Sequence, residues 1–193
     1  MKFLHSLILA AAVVFTACTS SPQLTSYVDP KIGTGDHGHV FVGANVPFGM
    51  VQVGPTSIPQ EWDWCSGYHA SESTLIGFSH THLSGTGIGD LFDVTIMPVV
   101  GEVTYSRGDG VNPESGMWSL ADRSQEIARP GYYSVPVMRY GVKAEMTATS
   151  RVGYHRYTFP ASNESALVID LQNGGCWDRV TDSKIEVVGD NRI

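Results

Sequence analysis

Alternation of hydrophobic and polar positions is the clearest pattern in the second half of the chain. Every second residue from Phe92 to Ile96 is hydrophobic, and residues 142–149 repeat that period. A period of two is typical of a strand with one face covered. Residues 132–139 and 142–149 flank Gly141. Together they predict a β-hairpin.

Four further segments are predicted as strands from short hydrophobic runs bounded by turn residues. They are residues 48–54, closed by Pro55, and residues 152–159, 166–171 and 184–188. The continuous apolar run at 166–171 indicates a strand buried on both faces. The fold class expected is all-β, an antiparallel β-sandwich. Residues 184–188 and the following turn lead to Ile193 without a partner strand, so we expect the N-terminal part of a longer protein.

Composition agrees with a folded domain rich in strands and loops. Of 193 residues, 42% are hydrophobic and 16% are charged, which is enough apolar material for one core. The 21 glycines and 10 prolines favour strands and turns over helices. A net charge of −7, without any basic run, argues against nucleic acid as a partner.

The N-terminus predicts export. Lys2 precedes a hydrophobic stretch at residues 7–15 that is too short to span a bilayer, and small residues follow it. We therefore expect a signal peptide at 1–17, lipidation of Cys18 and a tether at 18–26. The folded domain is expected at 27–193. This arrangement predicts a lipoprotein of the periplasm or outer membrane, held to the membrane by its lipid anchor only, with ordinary secretion as the alternative.

Two cysteines, Cys65 and Cys176, remain in the expected mature chain. An exported protein can form a disulfide, but nothing in the sequence shows that these two residues meet. Neither lies in the Cys-x-x-Cys spacing that is typical of zinc or redox sites.

Residues 62–69 and 78–90 concentrate tryptophan, histidine, aspartate and glycine. An indole beside a carboxylate suits a sugar, which stacks on the ring and hydrogen-bonds through its hydroxyls. We predict Trp64 as a stacking surface and Asp63 as a hydrogen-bond acceptor. The remaining candidates are pocket-wall or domain-junction residues: His80, His82, Ser84, Gly85 and Thr86. The alternative for the tryptophans is core packing.

Two His-x-His pairs, His37 with His39 and His80 with His82, allow a second chemistry. Imidazole is a common zinc ligand, so a zinc-dependent hydrolase is one alternative, against histidines that bond backbone carbonyls or sugar hydroxyls. Four aspartates could serve calcium but lack EF-hand spacing: Asp36, Asp63, Asp90 and Asp93. Neither a P-loop nor a Gly-x-Ser-x-Gly elbow is present.

Several ordered blocks resemble the N-terminal domain of glycoside hydrolase family 92, the exo-acting α-mannosidases. They are residues 28–35, 37–39, 44–52, 62–69, 77–90, 130–135 and 151–157. The resemblance implies a β-sandwich packed on a larger (α/α)₆ domain, with a mannose pocket at their junction. It also implies calcium-dependent hydrolysis with inversion. Residues 123–129 depart from the family, which there has an acidic segment with histidine.

By this resemblance the general acid and base lie beyond Ile193, and the absent domain binds most of the calcium. The chain then has no catalytic residue or metal ligand of its own. We expect the sugar-binding part of a calcium-dependent, inverting exo-α-mannosidase that removes mannose from glycans and is inactive alone. Its expected partners are a mannose-containing glycan and its own C-terminal domain. The alternatives are a non-catalytic lipid-anchored carbohydrate-binding protein and the zinc hydrolase.

Overall fold

The computed structural model describes residues 23–193, and that part of the chain consists of β-strands and short 3₁₀ helices without any α-helix. The predicted signal peptide, Cys18 and the first tether residues lie outside the described residues. Within 23–193, no helix has the length and apolar composition needed to cross a bilayer. The tether residues that are described run into an exposed 3₁₀ turn at Leu24–Tyr27.

Five strands form the larger sheet, and every pairing in it is antiparallel. Their order in the sheet is β1 (Ala44–Asn45), β2 (Gln52–Thr56), β4 (Gly77–Ser79), β5 (Thr95–Val100) and β11 (Ser165–Asp170). A two-stranded ladder joins β3 (Thr74–Leu75) to β6 (Ser119–Leu120).

The smaller main sheet has four antiparallel strands in sequential order: β7 (Ile127–Arg129), β8 (Tyr132–Val137), β9 (Val142–Ala148) and β10 (Gly153–Thr158). Strands β8 and β9 form the predicted hairpin, in which Val137 pairs with Val142 across a 3₁₀ turn that ends at Gly141. Strand β10 confirms the predicted strand at 152–159.

The core lies between the inner faces of the two main sheets. The larger sheet contributes Val53, Phe78, Met97, Val99 and Val168, and the smaller one contributes Tyr133, Val135, Val137, Val142, Ala144, Met146 and Ala148. The even positions of β9 point inwards, as their alternation predicts. The expected antiparallel β-sandwich is therefore confirmed.

The alternation at residues 92–97 is misleading, because the strand begins only at Thr95. Phe92 and Val94 precede it with positive φ values of 54° and 52°, so their side chains do not follow a strand's alternation. In β5 the buried positions include Thr95, Met97 and Val99, opposite in parity to the prediction. A bend before the strand therefore changes which face is covered.

Three other strand predictions need correction. Residues 184–188 form no strand among the described residues. Strand β11 is an edge strand in which Leu167 is 51% exposed, so it is not buried on both faces. Strand β2 continues through Pro55 to Thr56. The Thr56 carbonyl accepts from Ile76 N, on the β4 side of the strand. The polar backbone groups of Pro55 therefore point to the opposite side, because neighbouring residues of a strand alternate. The pairs with β1 end at Val53, so no amide donor is needed at Pro55.

Candidate functional site

Two loops bring histidines onto one carboxylate at the surface of the sandwich. His37 Nδ1 donates to Asp63 Oδ1 at 2.6 Å, and His39 Nε2 approaches the same oxygen at 3.3 Å. Asp63 lies in a 3₁₀ helix, Trp62–Trp64, which also carries a tryptophan against both imidazoles. We call His37, His39, Trp62 and Asp63 the Asp63 corner.

The loop that carries the two histidines has an unusual backbone. Asp36 and His39 have positive φ values of 47° and 53°, a region that costs free energy for residues other than glycine. A Cβ at Gly38 would overlap the carbonyl oxygen of Gly33, so only glycine allows this close turn. Such strain is typical of functional loops, and here it directs both imidazoles towards Asp63.

The predicted loop at Ser84, Gly85 and Thr86 reaches the same corner. Gly85 N donates to the His39 carbonyl at 2.7 Å, and the Trp62 indole Nε1 donates to the carbonyl of Gly87 at 2.6 Å. All three predicted residues are exposed. The structure therefore places this loop beside Asp63, although the two segments were identified separately in the sequence.

The two tryptophans of the 3₁₀ helix have different surroundings. Trp62 is 50% exposed and meets the His39 ring edge-to-face, with 4.2 Å between ring centroids. Trp64 is half-buried against His69 at 4.5 Å, and its indole nitrogen is buried without a partner among the described residues. The indole with the more open surface is therefore Trp62, whereas the sequence favours Trp64.

The charges in the Asp63 corner stabilise each other. The hydrogen bond to Asp63 raises the pKa of His37, and the same bond lowers the pKa of Asp63. Both imidazole contacts use Oδ1, and no described residue donates to Oδ2. Asp63 is thus an ionised acceptor with one oxygen free for a hydroxyl group, and it is poorly suited to hold a proton as a general acid.

His82 belongs to a buried polar chain below the corner. Its Nδ1 lies 3.1 Å from Asp90 Oδ2, and its Nε2 accepts from Ser79 Oγ at 3.1 Å. This connectivity is that of a serine–histidine–aspartate triad, but Ser79 and Asp90 are 0% exposed. No substrate can reach that serine, so the hydrogen-bonded chain of Ser79, His82 and Asp90 has a structural role. Asp90 Oδ1 also accepts from Leu83 N, which fixes the start of the exposed loop.

His80 lies elsewhere, between the two main sheets. Its Nδ1 donates to the Val94 carbonyl at 2.8 Å, and its Nε2 lies 3.0 Å from His155 Nε2. Burial lowers the pKa of both imidazoles, that of His155 to about 4, so both are neutral at pH 7. The structure therefore separates His80 from the Asp63 corner, and its predicted role in a pocket wall stays a prediction.

A second carboxylate cluster holds the other end of the same N-terminal segment. Glu126 accepts from Lys31 Nζ at 2.6 Å, from Arg123 at 2.5 Å, and from the hydroxyls of Tyr133 and Tyr68 at 2.6 and 3.0 Å. Its side chain is fully buried. We call these five residues the Glu126 cluster. The sequence gives no period or spacing that would identify it.

The paired histidines do not converge on a metal site. No group of three histidine, cysteine, aspartate or glutamate side chains among residues 23–193 is placed to hold a metal ion. Asp63 bonds His37, Asp90 bonds His82, and Asp93 bonds Thr81, so the carboxylates considered for calcium lie in separate surroundings. The described residues fit neither a complete zinc site nor a complete calcium site.

Six described carboxyl groups have a pKa that is shifted away from its ordinary value, and none of these six has the raised pKa that a general acid requires. Every resolved shift among them is downwards: Asp63, Asp109, Asp122, Glu126, Glu145 and Asp170. The strongest case is Glu145, where hydrogen bonds from Arg156 and Tyr132 lower the pKa to about 2. These groups are acceptors and ion-pair partners at neutral pH, so the described surface is suited to binding.

Comparison with known proteins gives a consistent result. A model of the glycosyl hydrolase family 92 N-terminal domain matches residues 27–193. A protein of Arthroderma benhamiae called an uncharacterized secreted glycosidase is 29% identical over 89% of this chain, which corresponds to 23% of that protein.

Solved structures agree with that match. A family GH92 α-mannosidase from Bacteroides thetaiotaomicron, in complex with mannoimidazole, is 43% identical with a TM-score of 0.77 and covers 81% of this chain. An inverting family GH92 mannosidase from the same organism is 28% identical with a TM-score of 0.64 over 78% of the chain. The alignments cover 20% of each of these two proteins, so the chain spans about a fifth of their length.

Proposed function

The chain belongs to glycosyl hydrolase family 92, and its residues 27–193 correspond to the N-terminal domain of that family; we propose that it is the sugar-binding part of an exo-α-mannosidase. The whole enzyme would remove terminal mannose from glycans with inversion and with calcium. We also propose that it is exported, with Cys18 lipidated. The solved relatives described as mannosidases support the substrate class, and the secreted relative supports export.

The observation that carries this proposal is the Asp63 corner. An ionised carboxylate with a free oxygen lies next to a half-exposed indole, and a sugar needs both an acceptor for its hydroxyls and a flat apolar surface. The exposed loop at Ser84, Gly85 and Thr86 borders them. We therefore assign hydroxyl binding to Asp63 and stacking to Trp62, with Trp64 as support from below.

The proposal places the reacting carboxyl groups outside this chain. Inversion needs a protonated acid and an ionised base roughly 6.5–9.5 Å apart, and the resolved pKa shifts of the described carboxyl groups are all downwards. Calcium ligands are likewise assigned to residues outside 23–193, since the described side chains do not form a complete site. This chain would bind and orient the sugar and leave the proton transfers to the rest of the enzyme.

The assignment is tested by measuring the kinetics of the enzyme that the complete gene encodes. On 4-nitrophenyl α-mannoside, Asp63→Asn should lower kcat/KM by about 10–100-fold, the effect of losing a charged hydrogen bond. Trp62→Ala should lower it more than Trp64→Ala. Matched controls are Asp190→Asn and Tyr105→Ala, at exposed positions outside the corner. Unchanged kcat/KM for both Asp63→Asn and Trp62→Ala would remove the assignment.

A non-catalytic carbohydrate-binding protein is the second candidate, favoured by the lowered pKa of Asp63, which makes this carboxylate a hydroxyl acceptor and a poor general acid. The same corner would then bind sugar without hydrolysis. The coding sequence after Ile193 separates the two candidates. An open reading frame with a helical region that carries acidic residues supports the enzyme, and a stop codon at that point supports the binding protein.

A further inference from the structure

The two cysteines of the described chain are neighbours in space, although 111 positions separate them. Cys176 Sγ lies 3.5 Å from the carbonyl oxygen of Cys65 and 3.7 Å from that of Trp64. Cys65 is buried, Cys176 is half-buried, and the structure holds both as free thiols. The sequence alone leaves this pairing undecided.

One backbone residue bridges the two cysteines. Asp90 N donates to the Cys65 carbonyl at 2.8 Å, and Cys176 N donates to the Asp90 carbonyl at 3.2 Å. A Cβ at Gly175 would overlap that same Asp90 oxygen, and a Cβ at Gly89 would lie 2.9 Å from Cys176 Cβ. The two segments can approach this closely only because these two positions are glycine.

Arg107 holds the other side of the segment that carries Cys176. Its guanidinium donates to Asp170 Oδ2 at 2.7 Å, to the Gly174 carbonyl at 2.6 Å and to the Asn173 carbonyl at 3.1 Å. Arg107 thus connects the segment to Asp170 at the end of strand β11, and the Cys176 amide connects it to Asp90. Its position beside Cys65 follows from several independent contacts.

We propose that Cys65 and Cys176 are a disulfide-forming pair that fixes the segment 174–177 to the 3₁₀ helix of the Asp63 corner. In this reaction the half-buried Cys176 thiolate attacks a low-molecular-weight disulfide and releases one thiol. The Cys65 thiolate then displaces the second thiol, so the S–S bond forms as two protons and two electrons leave the protein. The oxidising compartment expected after export allows such a bond to form and persist.

The reaction should accelerate with pH. Burial raises the pKa of both thiols, that of Cys176 to about 12, and the thiolate is the attacking species. Slow exchange at neutral pH and faster exchange in mild alkali distinguish this pair from an activated catalytic cysteine. The bond would be structural, since both sulfurs lie under the corner and away from its exposed surface.

The test uses the chain with Cys18→Ser, which leaves Cys65 and Cys176 as the two cysteines. The native protein is incubated with oxidised glutathione, alkylated with iodoacetamide and analysed by intact mass and peptide mapping. We expect loss of both alkylatable thiols, one peptide linking residues 65 and 176, and a Tm higher by roughly 5–15 °C. Dithiothreitol should restore the original Tm.

Two variants sharpen the test. Gly175→Ala keeps both cysteines but displaces the segment, so bond formation should slow at least tenfold, whereas Gly35→Ala, where an added Cβ has room, should not change the rate. Cys176→Ser should show no rise in Tm with the oxidant. The proposal is overturned if both thiols of the native chain stay alkylatable, if only intermolecular bonds form, or if Gly175→Ala oxidises at the normal rate.

Discussion

Two carboxylates hold the same N-terminal segment at its two ends, but their surroundings differ. The Glu126 side chain is fully buried, and four donors occupy its two oxygens. The Asp63 side chain is 22% exposed, and both imidazoles approach one oxygen. The carboxylate of the Glu126 cluster has no free acceptor position for a ligand, whereas the Asp63 carboxylate keeps its second oxygen free.

This difference separates a structural anchor from a binding position. A buried carboxylate whose charge is matched by Lys31 and Arg123 resists any change in its partners, because each would be left uncompensated. A partly exposed carboxylate can exchange water for a hydroxyl group at small cost. The segment from Lys31 to His39 is thus fixed at Glu126 so that its other end can present His37 and His39.

The largest effect is expected for Glu126→Gln. This change leaves Lys31 and Arg123 without their shared counter-charge, and we expect a loss of about 3 kcal/mol in the free energy of unfolding. Urea denaturation of the chain measures it, and Tm should fall by roughly 6–12 °C. Glu164→Gln, at an exposed carboxylate without an ion pair among residues 23–193, is the control. A loss equal to that of the control would remove the distinction between anchor and binding position.

Acidification should loosen the sandwich between the sheets before it affects the Glu126 cluster. The pKa of His155 is lowered to about 4, so the unfolded chain takes up this proton below about pH 6.5 and the folded chain only near pH 4. Stability is therefore lost as pH falls from about 6.5 to 4, by about 2 kcal/mol after allowance for partial exposure. Glu126, whose pKa is lowered, contributes its own loss at lower pH.

Tm measured between pH 8 and pH 4 tests this order. His155→Gln should flatten the profile above pH 4, because the variant lacks the imidazole that takes up a proton in the unfolded chain and resists it in the folded one. His37→Gln, at an exposed ring, should keep the wild-type slope between about pH 6 and pH 4, because His37 is charged there in both the folded and the unfolded chain. A wild-type slope in His155→Gln would contradict the assignment of the acid loss to the histidine pair.

The hairpin of β8 and β9 could be predicted because alternating side chains meet one core, so the sequence period carries the structure. The Glu126 cluster could not, since its members come from irregular segments and Tyr68 lies 58 positions from Glu126. The sequence also could not show which of Trp62 and Trp64 has the more exposed indole. In a 3₁₀ helix of three residues per turn, positions i and i+2 face different sides, and only the packing of Trp64 on His69 shows which is covered.

Gly38→Ala tests the backbone of the Asp63 corner directly. The added Cβ would overlap the Gly33 carbonyl, so the loop must shift, at an expected cost of about 1–2 kcal/mol. The Glu126 cluster should keep its contacts, because Lys31 precedes the displaced turn. Tm measures the loss, and Gly35→Ala, with its nearest atom at 3.8 Å, should cost less. Equal losses for the two variants would mean that the close turn at Gly38 is not a constraint.

The smallest effect concerns a single proton in the Asp63 corner. The Asp63 hydrogen bond raises the pKa of His37, so the charged pair is complete below the ordinary histidine pKa and is lost as pH rises through the raised value. NMR titration of the His37 ring should show this shift, and Asp63→Asn should return it towards the ordinary value. Asp36→Asn removes a nearby charge with a weaker influence and should change the titration less. If the two variants shift His37 equally, the histidine senses the general field of the loop, and Asp63 is not held in the geometry that leaves its second oxygen free.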